Sequence, residues 1–290
     1  VTSQQGKGTF MEPQDFLTME QIDAVVAQIR QRTEVEPRIA MILGSGLGPL
    51  AEEVSEADRF SNQEIEGWPA STVQGHAGKL VFGQLEGQQV FIMQGRAHYY
   101  EGYPMSRIGL PIRVMQRMGV EILIVTNAAG AVNPDFAPGE LMVLSDHINL
   151  MGMAGLTPLR GPNLDEFGPR FPDMSQSYDR ELITLAEEVC RAEEVPLNKG
   201  VYVCLAGPSF ETPADLRFLK AIGVDAVGMS TVPEVTAARH GGTRVLGVSG
   251  ISNKANLDGD TITTHEEVLE AGAVIVPRMT KLIKGVLKRL

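Results

Sequence analysis

The apolar run Ile39-Ala40-Met41-Ile42-Leu43 passes without a break into Gly44-Ser45-Gly46-Leu47-Gly48. A continuous run of this kind reads as a strand buried on both faces, which belongs in a sheet covered by helices. The glycines beyond it permit a tight turn with outward-facing backbone N–H groups, and the serine adds a hydroxyl donor, so the strand empties into a candidate anion site. A dinucleotide fingerprint describes it poorly: the third glycine of G-x-G-x-x-G is replaced by Pro49, and the next segment has no clear helical pattern.

Further short apolar runs predict strands at 80–82, 90–93, 122–126, 141–144, 201–205, 226–227 and 245–248. Apolar residues at helical spacing predict helices at 16–32, 106–118, 178–194 and from Thr264 to about Lys288. Thr212, Pro213 and Asp215 form a capping-box start that Gly223 would stop, and Thr231, Pro233 and Glu234 repeat the device before His240-Gly241-Gly242. Thr264 with Glu267 is a third start. The alternation predicts a single α/β domain over residues 1–290, with a central mixed or mostly parallel sheet and helices on both faces. Residues 1–10 read as a disordered lead-in. The proline- and glycine-rich stretch 151–172 is too long for a plain connection, and such loops are usually functional or packed on another subunit.

The formal net charge of -11 argues against a nucleic-acid partner. No apolar run approaches the roughly 20 residues of a membrane span, and no basic segment leads into an apolar one near the first residues. Cys190 falls in a helical pattern and Cys204 in a strand, so both read as buried thiols of a reducing, cytoplasmic compartment.

Polar groups gather just beyond predicted strands, where open α/β sheets bind ligands. In Gly95-Arg96-Ala97-His98-Tyr99-Tyr100-Glu101-Gly102, Arg96 offers a fork for phosphate oxygens with His98 beside it. The alternative is an Arg96 that pairs with Glu101. Thr126-Asn127-Ala128-Ala129-Gly130 is small enough for backbone N–H groups to approach a ligand, and Ser230 precedes a helix start that favours an anion. Ser45, Arg96, the Ala128 backbone and Ser230 could thus converge on one phosphate. Glu211, beside the cap residue Thr212, either favours the helix's positive end or joins Asn253 in reading a heterocycle's edge, one accepting ring protons and the other donating. The five histidines have no metal-ligand spacing, so no metal is expected. A nicotinamide enzyme would need an acidic residue about 20 positions beyond the turn on a second strand, and Glu64 lies in a polar loop. A nucleoside hydrolase or a noncatalytic nucleoside-binding protein would differ in needing no phosphate.

Taken together these segments resemble the trimeric purine nucleoside phosphorylase family, which includes the methylthioadenosine phosphorylases. The resemblance also rests on Gly75-His76-Ala77-Gly78, Phe167-Gly168-Pro169-Arg170-Phe171-Pro172, Gly207-Pro208-Ser209-Phe210-Glu211-Thr212, Gly228-Met229-Ser230-Thr231-Val232-Pro233-Glu234 and His265-Glu266-Glu267-Val268-Leu269. It runs from about Ile39 to the last helix. It implies a partly barrel-like sheet and reversible phosphorolysis of 6-oxopurine nucleosides, with inorganic phosphate as co-substrate and no cofactor. A methylthioadenosine or broad-specificity purine nucleoside phosphorylase is the alternative. By resemblance the phosphate ligands are Ser45, His76, Arg96, His98, the Ala128 backbone and Ser230. Tyr100, Met229 and His265 match the sugar pocket, and Phe210, Glu211 and Asn253 the base pocket, with Asn253, Glu211 and His98 catalytic. Phe167 matches an aromatic residue lent to the neighbouring subunit of a homotrimer. The family often has Thr-Asn where this chain has Ser252-Asn253, which keeps the hydroxyl and loses a methyl.

Overall fold

The computed structural model describes residues 16–44, 46–73, 77–259 and 265–290, the last from residue 270 for side chains. The first helix, α1 (Met19–Arg30), opens with a capping box between Thr18 and Gln21 and buries Ile22, Val25 and Ile29. It is shorter at both ends than the apolar spacing suggested, because the caps and not the pattern set the boundaries. Strand β1 (Ile39–Leu43) is buried throughout. The glycine turn after it leads into a short helix, α2 (Gly48–Glu52), with proline in its first turn. That helix was invisible to periodicity, since one turn shows no period.

The chain continues through β2 (Ser55–Ser61), β3 (Lys79–Leu85), β4 (Gln88–Gln94), α3 (Met105–Arg117), β5 (Ile122–Ala131), β6 (Leu141–Ile148), α4 (Leu150–Met153) and α5 (Arg180–Ala192). It ends with β7 (Leu197–Cys204), α6 (Pro213–Ala221), β8 (Ala226–Gly228), α7 (Val232–His240), β9 (Arg244–Lys254) and α8 (His265–Leu287). Strand β2 carries no apolar pattern, being an exposed edge held by its antiparallel ladder to β3. As the sequence predicts, α6 begins with the reciprocal Thr212–Asp215 box and stops before Gly223 at φ +89°.

The nine strands form one mixed sheet in the order β2-β3-β4-β1-β5-β8-β7-β6-β9, and β9 returns to pair with β5. Strands β5, β8, β7, β6 and β9 thereby close a ring, and β1, β4, β3 and β2 extend from it as an open wing. Helix α3 packs between α1 and α7, and α8 lies against α5 and β9. The expected mixed, partly barrel-like sheet flanked by helices is what the chain forms.

The ring closes because β5 is long and its two edges are used differently. Strand β9 runs parallel to it from Ile122 to Ala131, taking one edge entirely. Along the other edge β1 pairs only as far as Val125, and β8 pairs antiparallel from Gly130. Residues 126–129 lie between the departing and arriving strands. Sequence reading ended β5 at Thr126 and made the next residues a turn. They are strand, and their small side chains mark a stretch where one neighbour is missing.

The described residues at the N-terminal side begin after the expected lead-in, which therefore lies outside them. Cys190 and Cys204 are buried free thiols. Among the described residues no helix is long and apolar enough to cross a membrane.

Candidate active site

The site grows from the gap in β5. The Thr126 hydroxyl donates to the Ile42 carbonyl at 3.1 Å and accepts the Gly44 N–H at 2.9 Å, pinning the glycine turn to the strand where β1 leaves it. A Cβ at position 44 would come within 3.2 Å of the Asn127 Cα and the Thr126 oxygen, so any larger residue would crowd the strand backbone there. Gln94, at the end of β4, donates to the Gly48 carbonyl at 3.0 Å and braces the far end of the turn. Ser45 itself and His76 lie outside the described residues.

Arg96 follows β4 and is only 5 % exposed. Its guanidinium donates to the carbonyls of Ile42 and Thr126 and, through Nη1, to Thr231 Oγ1 at 3.2 Å and Ser230 Oγ at 3.4 Å. It also pairs with buried Glu234 at 3.4 Å. Glu234 was expected to complete a capping box at the start of α7. Instead Thr231 makes no side-chain cap bond and Glu234 turns inward, because the buried charge of Arg96 needs a counter-charge. The alternative pairing of Arg96 with Glu101 does not form.

Glu101 belongs to His98. Its carboxylate accepts the His98 backbone N–H at 2.7 Å and lies 3.1 Å from the ring Nδ1, while Thr72 Oγ1 donates to it at 2.8 Å and Ser71 Oγ at 3.2 Å. Burial disfavours the charge, yet the hydrogen bonds from Thr72 and His98 hold the carboxyl below its ordinary pKa. A carboxylate on Nδ1 fixes the imidazole's tautomer and orientation. The sequence suggests Arg96 and not His98 as the partner of Glu101, although its place three residues after His98 is the signal for this pairing.

Tyr100 stacks on His98 with ring centroids 4.8 Å apart. Burial, with the nearby Glu101 charge, pushes its hydroxyl up to about 12 and keeps it protonated. A side chain at Gly207 would collide with the Met229 sulfur and touch the Tyr100 ring, which puts Tyr100, Gly207 and Met229 side by side. Phe210 is 45 % exposed. Burial, and then repulsion from Asp215, raises the Glu211 carboxyl above its ordinary pKa, so a ligand donating to its carboxylate would be bound most readily above that raised value.

Asn253 was expected in a turn after a strand at 245–248. It lies within β9, just past a bulge. Ala129 faces Ile251 and Gly130 faces Asn253, so Ser252 is the extra residue and the side chains beyond it are re-aimed. The Ser252 hydroxyl lies 3.3 Å from the Ala129 carbonyl and 2.8 Å from Asn253 Oδ1, which orients the carboxamide. A Cβ on Gly130 would sit 3.5 Å from Asn253 Nδ2. Among the described residues no hydrogen bond joins Glu211 to Asn253. Phe167 packs with the Arg113 guanidinium 4.6 Å over its ring, and Phe171 four residues on is 89 % exposed. His265 begins α8, and its side chain lies outside the described residues.

A ring-closed mixed sheet with basic and hydroxyl groups at one split strand and a carboxamide two residues further along defines an enzyme of the α/β phosphorylase class, and the Phosphorylase superfamily pattern matches residues 38–288. Purine nucleoside phosphorylase 1 of Bacillus subtilis (strain 168) is 51% identical over 267 residues, covering 92% of this chain and 97% of that protein. Solved structures of Schistosoma mansoni purine nucleoside phosphorylase superpose with TM-scores of 0.90. The complex with adenosine is 42% identical and covers 94% of this chain and 98% of the other, and the complex with inosine is 41% identical and covers 94% and 97%. The chain belongs to the purine nucleoside phosphorylase family.

Proposed function

We propose that this enzyme catalyses reversible phosphorolysis of 6-oxopurine ribonucleosides and 2'-deoxyribonucleosides, foremost inosine and guanosine, to the free base and (deoxy)ribose 1-phosphate. The observation that carries the reading is the open edge of β5 at 126–129, with Gly44, Arg96 and Ser230 gathered beside it and Asn253 across from Gly130. Phosphate is held by Ser45, His76, Arg96, His98, the Ala128 backbone and Ser230. Tyr100, Met229 and His265 line the sugar site, and Phe210, Glu211 and Asn253 the base site.

In this mechanism Glu211 accepts the purine N1–H, and Asn253 serves O6 and N7, whose negative charge grows as the glycosidic bond lengthens. The bonding electrons leave with the base, an oxocarbenium-like ribose forms, and a phosphate oxygen attacks C1' from the opposite face. Positioned donors and a held anion lower the barrier without a covalent nucleophile. His98, oriented by Glu101, governs the phosphate proton. A 6-aminopurine lacks the N1–H and presents a donor where O6 accepts, so it fits this pair less well.

The decisive experiment incubates the enzyme with inosine, guanosine and adenosine, each with and without phosphate, and follows free base. Release from the two 6-oxopurines that depends on phosphate is expected. Phosphate-independent release, or none, overturns the reading.

The buried free thiols support a cytoplasmic location. For the quaternary state, a homotrimer in which Phe167 reaches the neighbouring sugar site is supported by the family resemblance, and within one subunit Phe167 is partly buried with Arg113 over its ring. Phe167→Ala is expected to raise the nucleoside KM several-fold with little change for phosphate. Unaltered nucleoside kinetics would count against a shared pocket.

A further inference from the structure

Thr231 has φ +77° and ψ −52°, the positive-φ γ-turn region, which is rare and costly for a β-branched residue. The Val232 N–H closes the three-residue turn on the Ser230 carbonyl at 2.9 Å. Strain of this kind persists only where the surroundings over-determine it, and it gathers at sites of function.

The surroundings here are a set of donors. Thr231 is fully buried, and its Oγ1 receives Asn127 Nδ2 at 2.8 Å and Arg96 Nη1 at 3.2 Å. Both of those groups can only donate. A hydroxyl oxygen has two lone pairs and one proton, so the Thr231 proton must be given away. Its acceptor among the described residues is Ser230 Oγ, 3.3 Å distant. Ser230 Oγ also lies 3.4 Å from Arg96 Nη1. Having accepted the Thr231 proton, with the Arg96 guanidinium on its other side, Ser230 keeps its own O–H to offer.

We infer that Thr231 is a positioning residue for phosphate, whose buried hydroxyl makes Ser230 an obligate donor toward the anion. The assignment rests on the phosphate role of Ser230 proposed above. The strained turn is the means: it places the Thr231 hydroxyl between two fixed donors on one side and Ser230 on the other. A cup whose side chains only donate suits the phosphate dianion, whose oxygens accept.

The test compares Thr231→Val, which keeps the β-branched shape and loses the hydroxyl, with Thr231→Ser, which keeps the hydroxyl. T231V is expected to raise the phosphate KM about tenfold or more while the inosine KM stays within about twofold, and T231S should remain within about threefold of wild type for both. In a Ser230→Ala background T231V should add less than about twofold to the phosphate KM, because no hydroxyl remains to orient. Equal rises in both KM values, a T231S as impaired as T231V, or full additivity with S230A overturns the assignment. Should T231V not fold, Thr231→Ala, which also removes the hydroxyl, takes its place under the same expectations. Wild-type enzyme that releases no base with phosphate overturns the functional reading itself. Wild-type phosphorolysis with a phosphate KM indifferent to T231V overturns only the role of Thr231.

Discussion

Asn253→Ala lowers kcat for inosine on the order of a hundredfold, with the phosphate KM nearly unchanged. Removing one preorganised donor from a site of developing negative charge costs roughly 3 kcal/mol of transition-state stabilisation. In the proposed mechanism Asn253 is such a donor, and its carboxamide is held by Ser252 at a bulge. Steady-state kinetics with each substrate varied in turn measure the effect, and near-wild-type turnover would remove Asn253 from the reaction. Asn253→Asp exchanges the amide donor for an acceptor, so the ratio of adenosine to inosine turnover should rise. An unchanged ratio would sink the edge-reading argument.

Glu234→Ala destabilises the folded enzyme by about 3–5 kcal/mol, the usual cost of leaving one member of a buried ion pair alone. Arg96 and Glu234 are both about one-twentieth exposed, so little solvent reaches the pair. Distance alone would rank the pairs wrongly. Arg38 and Glu121 approach more closely, at 2.6 Å, but are more than half exposed, and Glu121→Ala should hardly alter stability. Chemical denaturation of the two variants side by side gives the answer, and a loss below about 1 kcal/mol for Glu234→Ala would mean that Arg96 finds solvent or another partner. The phosphate KM of the same variant should rise, since Arg96 loses one of the contacts that aim it.

Much of this architecture was legible in the residues because the signals were local. Buried strands announced themselves as apolar runs, and the Thr212–Asp215 box and Gly223 bounded α6 because capping chemistry is written within a few positions. Features that depend on distant residues escaped. Strand β2 is an edge without an apolar face, and its existence depends on β3. The reach of β5 beyond Thr126 and of β9 to Asn253 depends on their pairing with each other, which no single segment encodes. Thr231 and Glu234 carry a helix-start pattern, yet the buried charge of Arg96 recruits both, and that demand arises only when residues 135 and 138 positions away fold against it. The same limit applied to the site: each donor could be named from its place after a strand, whereas the identity of its partners, such as Glu101 with His98, needed the fold.

The split edge of β5 also acts as a gauge. In the proposed site phosphate adjoins Ala128, and Asn253, proposed to read the base, faces Gly130 two residues along the same backbone. An extended chain advances about 3.3 Å per residue, so backbone positions 128 and 130 stand roughly 7 Å apart by covalent geometry. Loops at the mouth can admit or retain substrate, but they cannot adjust that interval. On the proposed reading, the interval between the phosphate side and the base side is therefore set by a strand paired along its length with β9, and not by a loop.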